Sequence, residues 1–193
     1  MKRVTFKGVL SRKDAREVYS NASDVLSKVG IEVESDLVKE VLFSNGCSIS
    51  RKPGRTYDVV SIPEGTLAMA VSTVPRKVEM YSRDGDLRVI LAGSNSHFNP
   101  GSCATNYYDA KTDTRRRPTR EDLEEFVKVA DSLENIHMQS TAMVVESVNP
   151  VVQDAYRLSV VLKNSKKPIV TGTFSENFEM MKDMLLAVRR SKE

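Results

Sequence analysis

The sequence predicts an α/β protein whose second half is built from alternating strand and helix. Three observations predict it. From residue 96 onward, apolar runs rich in β-branched residues alternate with helical patterns, the order that implies a parallel sheet. The strand candidates beginning at Ile136 and Pro168 lie 32 positions apart, close to one repeat of a (β/α)8 barrel, which spreads about 250 residues over eight units. The first 95 residues instead carry two helical stripes and short hairpin patterns. Residues 1–95 are therefore read as an N-terminal α/β extension, and 96–193 as about three βα units. Three parallel strands cannot close a barrel. The residue pattern leaves two readings open, a small open α/β sheet or the front part of a longer barrel.

Each element has its own local signal. The first helix runs from near Ser11 to about Val29, with Val18, Ala22, Val25, Leu26 and Val29 on one face and Gly30 closing it. The second begins after Ser35, with a stripe of Leu37, Val38, Val41 and Leu42, and ends at Gly46. CSIS (47–50) and YDVVSI (57–62) flank the turn-like KPGR, a hairpin pattern. Pro63 opens a short helix that stops before Pro75. VEMYSR (78–83) and LRVILAG (87–93) are joined by Asp84–Gly85, a strong hairpin signal. SHFN (96–99) is the next strand candidate.

NYYDAKTDTRRRP reads as a polar hairpin with Thr112–Asp113 near its tip. Thr119 caps a helix, with Asp122 three residues on and Leu123, Phe126, Val127, Ala130 and Leu133 facing the core. IHMQSTAMVV (136–145) is a strand candidate. Asn149–Pro150 opens a helix whose buried set is Val151, Ala155, Leu158, Val161 and Leu162. PIVTGTF (168–174) is a strand candidate. Ser175 caps the last helix, with Phe178, Met181, Leu185 and Val188 on its apolar face and Arg189, Arg190 and Lys192 at its negative end.

Composition narrows the function classes. The net charge of +3 is too small to imply a nucleic-acid partner. The densest basic run, Arg115–Arg117 with Arg120, meets Glu121, Asp122, Glu124 and Glu125 at once and reads as a solvated face. No apolar run approaches the ~20 residues of a membrane span, and no apolar core follows the basic start, so neither a membrane association nor a secretory signal is expected. Two cysteines, Cys47 and Cys103, suit a reducing cytoplasm. There is no CxxC, HExxH or Cys/His cluster, and no glycine-rich phosphate loop.

Several segments, in order, resemble the trimethylamine methyltransferase family, the corrinoid-linked methylamine and betaine methyltransferases. DVLSKVGIEVESDLVKEVLFSNGCSI resembles the family's opening helix pair and first short strand. VSIPEGTLAMAVSTVPRKVEMYSRDG resembles its "IPEELVEEALAKAPK…LYARD" stretch. HFNPGSCATNYYDAKTDTRRRPTREDLEEFVKVADSLENIHMQST resembles its "YFGPGG…D..TGE.R.AT.EDV..FARLAD.LPNI" segment. NPVVQDAYRLSVVLKNSKKPIV resembles the helix and strand after it. The likeness runs from about residue 12 to 185 and matches roughly the N-terminal two-fifths of the family's longer members. It implies an N-terminal α/β extension followed by a (β/α)8 barrel, here incomplete. It also implies methyl transfer from a tertiary or quaternary amine, trimethylamine or a betaine, to the cobalt of a corrinoid. That cofactor is carried by a separate cognate protein and is not bound by this chain alone. As a truncated chain it is expected to be inactive.

Barrel enzymes work at the C-terminal ends of their strands. This places the expected substrate-binding residues on three loops: Asn99, Pro100, Gly101 and Ser102 on the first, Glu146 on the second, and Thr171 and Thr173 on the third. Pro100 and Gly101 match the family's FGPGG stretch, whereas Asn99 and Ser102 stand where it has glycine. The first loop is equally well a tight turn. Glu146 is able to offset an ammonium charge or to sit solvated. Tyr107 and Tyr108 offer cation–π contact or hairpin packing. Cys103 reads as a small buried residue, since no base is paired with it. Cys47 reads as core, His137 as structural, and His97 as marginal to the pocket. No protein-built metal site and no catalytic side chain is identified. The methionine-bearing face of the last helix, left uncovered, implies self-association into a homo-oligomer or partner docking. Two alternatives remain, a non-catalytic α/β interaction module and a different barrel enzyme sharing this front half.

Overall fold

The computed structural model describes residues 10–188, and all structural statements concern these. Its contacts divide the chain into two compact units after Pro75. The fold is mixed α/β.

In the first unit, Ser11 and Asp14 form a capping box at the start of α1 (Arg12–Asp24). The helix widens into a π turn over Val25–Val29, closed by the Gly30 amide on the Val25 carbonyl at 2.9 Å. Gly30 (φ 82°) turns the chain into β1 (Ile31–Val33). Ser35 caps α2 (Asp36–Ser44), and β2 (Ser48–Ser50) and β3 (Asp58–Ser61) form the expected hairpin. β1 also pairs antiparallel with β3, giving the order β1-β3-β2. α3 (Glu64–Thr73) follows Pro63. Val33, Cys47 and Val60 form the core, with Leu42 and Ile62 against it. Cys47 is thus a core residue. Much of the helical stripes stays exposed, including Val18 on α1, Val25 and Val29 on the π turn, and Leu37, Val38 and Val41 on α2. A sheet of three short strands offers too little surface to cover them.

In the second unit, β4 (Val78–Tyr81) and β5 (Leu87–Leu91) pair antiparallel around Asp84–Gly85. Sequence rhythm assigns this hairpin to the extension, ahead of a boundary at 95/96. Compactness groups it instead with the C-terminal elements, because Arg83 donates to the Ser165 carbonyl at 2.7 Å and Lys166 reaches Asp84 at 2.9 Å. β6 (Tyr107–Asp109) and β7 (Thr114–Arg116) form the polar hairpin, with Asp113 at φ 55° near its tip. Thr119 and Asp122 box the start of α4 (Arg120–Ser132). β8 (Gln139–Ser140) and β9 (Ile169–Val170) pair in parallel across α5 (Gln153–Asn164), and α6 (Ser175–Val188) follows. Leu123 and Val127 of α4 and Val161 of α5 pack with Met143 and Val145. A second cluster joins Ala155, Leu158, Leu162 and Met181.

Several sequence expectations do not hold in the structure. Residues 96–99 are not a strand. The Phe98 carbonyl accepts from the His137 and Met138 amides, and regular pairing resumes only at the parallel bridge Ala104–Met143. Pro100 lacks an N–H and Gly101 sits at φ 78°, so the chain bends away between these contacts. The strands expected over 136–145 and 168–174 shrink to two residues each. Val151 is exposed because it lies in a 3-10 turn (Pro150–Val152) that precedes α5 and is out of its phase. Leu133 is exposed because it ends α4 in an extended conformation.

On α6 Met181 is buried, while Phe178, Met180, Leu185 and Leu186 are exposed. Arg189, Arg190 and Lys192 lie outside the described residues. Among the described residues, no helix is long and apolar enough to cross a membrane.

Candidate functional site

The loops leaving the C-terminal ends of the parallel pair converge with the 99–104 loop. Asn99 Oδ1 accepts from the Gly101 amide at 2.7 Å, an Asx turn that shapes the bend. Pro100, half-buried, lies inside that turn. The Gly101 carbonyl accepts from the Ser140 hydroxyl. Ser102 Oγ donates to the Thr141 carbonyl at 3.3 Å and accepts from Arg157 Nη2 at 3.3 Å. Thr141 and Thr171 join through their hydroxyls at 2.9 Å. The structure therefore brings together Gly101, Ser102 and Thr171, with Asn99 holding the turn.

Two expected residues stay outside this network. Thr173 is exposed, and its hydroxyl bonds to the neighbouring Phe174 carbonyl at 2.9 Å. Glu146 is exposed on the second loop, anchored by its amide to the Pro118 carbonyl at 3.2 Å.

Behind the loops lies a buried ion pair that sequence reasoning misses. Arg157 (4% exposed) and Asp154 (7%) sit one turn apart on α5, 3.1 Å between Nη1 and Oδ1. Arg157 also donates to the Thr141 carbonyl, and Asp154 Oδ2 accepts from the Phe174 amide at 3.1 Å. A signal is present in the sequence. Asp154, Arg157, Leu158 and Val161 share one face at helical spacing, so two charges fall on an otherwise apolar stripe.

Other residues singled out in the sequence resolve differently. Cys103 is exposed, contrary to expectation, because residues 101–106 run along the surface between the turn and β6. The guanidinium of Arg116 covers the Tyr107 ring, 4.8 Å from its centroid, and the Tyr108 hydroxyl donates to Asp113, so the pair packs in its hairpin. Arg116 is not merely solvated. It bridges Asp109 and Asp122, and it holds the Asp122 carboxyl at a pKa of about 2, with the Thr119 cap adding to the effect. Both histidines lie at the opposite ends of these strands. His97 Nε2 meets the Ile90 carbonyl at 3.0 Å, and His137 Nδ1 accepts from the Phe98 amide at 3.2 Å.

Two cavities open near that opposite end. One, of about 530 Å³, is lined by Tyr81, Leu162, Ile169, Leu185 and Val188 among others. The other, of about 510 Å³, lies beside His137, Lys166 and Lys167. At the strand-end loops Gly101 and Ser102 are instead exposed above buried Ser140 and Thr141, with the exposed ring of Phe174 and the exposed Glu146 on neighbouring loops. An aromatic ring and a carboxylate are groups that attract cations.

A family model described as trimethylamine methyltransferase (MTTB) matches residues 2–188. Among curated proteins, the chain is 27% identical to a glycine betaine methyltransferase of Desulfitobacterium hafniense (strain Y51) over 160 residues, covering 82% of this chain and 32% of that protein. It is 21% identical to trimethylamine methyltransferase MttB of Desulfitobacterium hafniense (strain DSM 10664 / DCB-2) over 179 residues, covering 92% of this chain and 35% of that protein. The chain thus spans about a third of the length of these relatives.

Proposed function

The chain belongs to the trimethylamine methyltransferase family, and on that premise we propose that it is the N-terminal part of a methyltransferase acting on a tertiary or quaternary amine. The parallel pair β8–β9, separated by α5, supports reading the second unit as the opening of a (β/α)8 barrel. The exposed apolar side chains of α6 suit a helix that packs against a further βα unit.

The observation that carries the functional reading is the oxygen-lined junction of Gly101, Ser102, Thr141 and Thr171 at the strand ends. The reaction is displacement at a methyl carbon bound to positively charged nitrogen. The C–N bond breaks and its electron pair leaves with the amine. Cobalt in a corrinoid held by a separate protein supplies the nucleophile. Both histidines of this chain are engaged away from the loops, so the residues here fit the amine rather than cobalt.

Such a displacement needs no acid or base from this chain. Its residues bind and orient the donor, and a fixed line of attack accounts for much of the rate. Glu146 offsets the ammonium charge, Ser102 and the Gly101 carbonyl line the approach, and Asn99 holds the loop in shape. The full-length protein is expected to bind trimethylamine or a betaine in calorimetry, with binding weakened by Ser102→Leu. No binding of any methylated amine would contradict the reading.

A further inference from the structure

We propose that Asp154 and Arg157 are positioning residues that tie the 99–104 loop to the 171–177 loop, so that the two sides of the strand-end site move as one. The inference rests on reading these loops as the amine-binding mouth.

A buried ion pair is weak evidence for stability, because desolvation offsets much of its attraction. What distinguishes this pair is where its remaining contacts go. Arg157 reaches the 99–104 loop through Ser102 Oγ and the end of β8 through the Thr141 carbonyl. Asp154 reaches only the third loop, through the Phe174 amide. Ser102 of one loop and Phe174 of the other are therefore held by different members of one ion pair, alongside the Thr141–Thr171 hydroxyl contact. Arg157 Nε is already buried without a hydrogen-bond partner. A further donor left unpaired would be costly. Displacing either loop loosens the charge that holds the other.

Amide hydrogen exchange on this chain tests the tie without amine or corrinoid. Asp154→Asn is expected to speed exchange at Gly101 and Ala104 at least tenfold, although Asp154 touches neither. Arg157→Met is expected to do the same at Phe174. The Asp122 amide, in its own capping box on α4, stays unchanged as the control for general loosening. Ser102→Ala, a change at an exposed residue that leaves the pair intact, keeps the test available where the buried variants fail to fold; it too is expected to raise exchange at Phe174.

In the full-length protein the same variants are expected to raise KM for the amine while kcat stays within twofold. The tie is overturned if each substitution loosens only the loop it touches, or if all amides loosen together. A fall in kcat at unchanged KM would overturn the positioning role. Absence of turnover in the unmodified protein would instead defeat the methyltransferase reading and leave the exchange result standing.

Discussion

The rings of His97 and His137 meet edge to face, with centroids 5.0 Å apart and planes at 84°. They are the chain's only histidines, 40 positions apart in sequence. The His137 Nδ1 acceptor holds the Phe98 amide, and this contact docks the 96–99 segment at the start of the second strand segment. Burial, then the charges of His97 and Lys167, hold the His137 pKa below its ordinary value. A lowered folded pKa means that the unfolded chain binds the proton first. Stability is then full above the ordinary histidine value of about 6.5 and falls as pH drops through the folded value. Urea midpoints at pH 7.5 and 5.0 are expected to differ, with the lower midpoint at pH 5.0. His137→Gln should reduce that difference.

Asp122 behaves as a second titrating lock at lower pH. The Arg116 hydrogen bond is the largest cause of its pKa of about 2. Its contribution is present above about 3.8 and is lost as pH falls through about 2. Asp122→Ala removes both the capping box and the bridge, and is expected to cost about 2–3 kcal/mol at neutral pH by denaturant titration.

Two glycines with positive φ should respond differently to alanine. At Gly30 a Cβ would lie 2.7 Å from both Val59 Cγ1 and the Val60 carbonyl oxygen. Gly30→Ala therefore combines backbone strain with a clash and is expected to cost about 3 kcal/mol. At Gly101 nothing lies within 4 Å of an added Cβ, so Gly101→Ala carries only the strain, about 1–2 kcal/mol. Thermal unfolding of the two variants checks the order.

The exposed thiol of Cys103 and the buried one of Cys47 predict selective labelling. A maleimide should modify Cys103 in the folded chain and reach Cys47 only after denaturation. Since the proposed displacement uses no thiol, Cys103→Ser should leave methyl transfer by the full-length protein within twofold.

Asn99 shapes the first loop through its own side chain. Asn99→Ala in the full-length protein is expected to raise KM for the amine about tenfold, equivalent to ~1.4 kcal/mol, with little change in thermal stability. An unchanged KM would remove this loop from the binding surface.

Much of the fold is legible in the sequence because caps and turns are local. Ser11, Ser35 and Thr119 start helices where the sequence reading begins them. Asp84–Gly85 makes its hairpin for the same reason. β1 escapes a sequence reading because three residues after a glycine carry too little periodicity, and its pairing with β3 is decided by partners distant in sequence. The strand expected over 96–99 fails because Pro100 and Gly101 act against pairing.

The site is legible in part. Pro100, Gly101 and Ser102 emerge from loop placement. Asp154 and Arg157 escape notice because a helical stripe is read for apolar residues, and two charges on it look like a flaw until their partners are seen. The exposure of Cys103 depends on the path of a whole surface segment, which no local pattern encodes.

The most direct measurement combines the full-length protein with its corrinoid protein in the cobalt(I) state and a panel of methylated amines, among them trimethylamine and glycine betaine. Cobalt(I) absorbance and demethylated amine are then followed together. Methyl transfer from an amine predicts that one member of the panel discharges the cobalt(I) signal with one equivalent of demethylated product. A signal unchanged by every amine would contradict it.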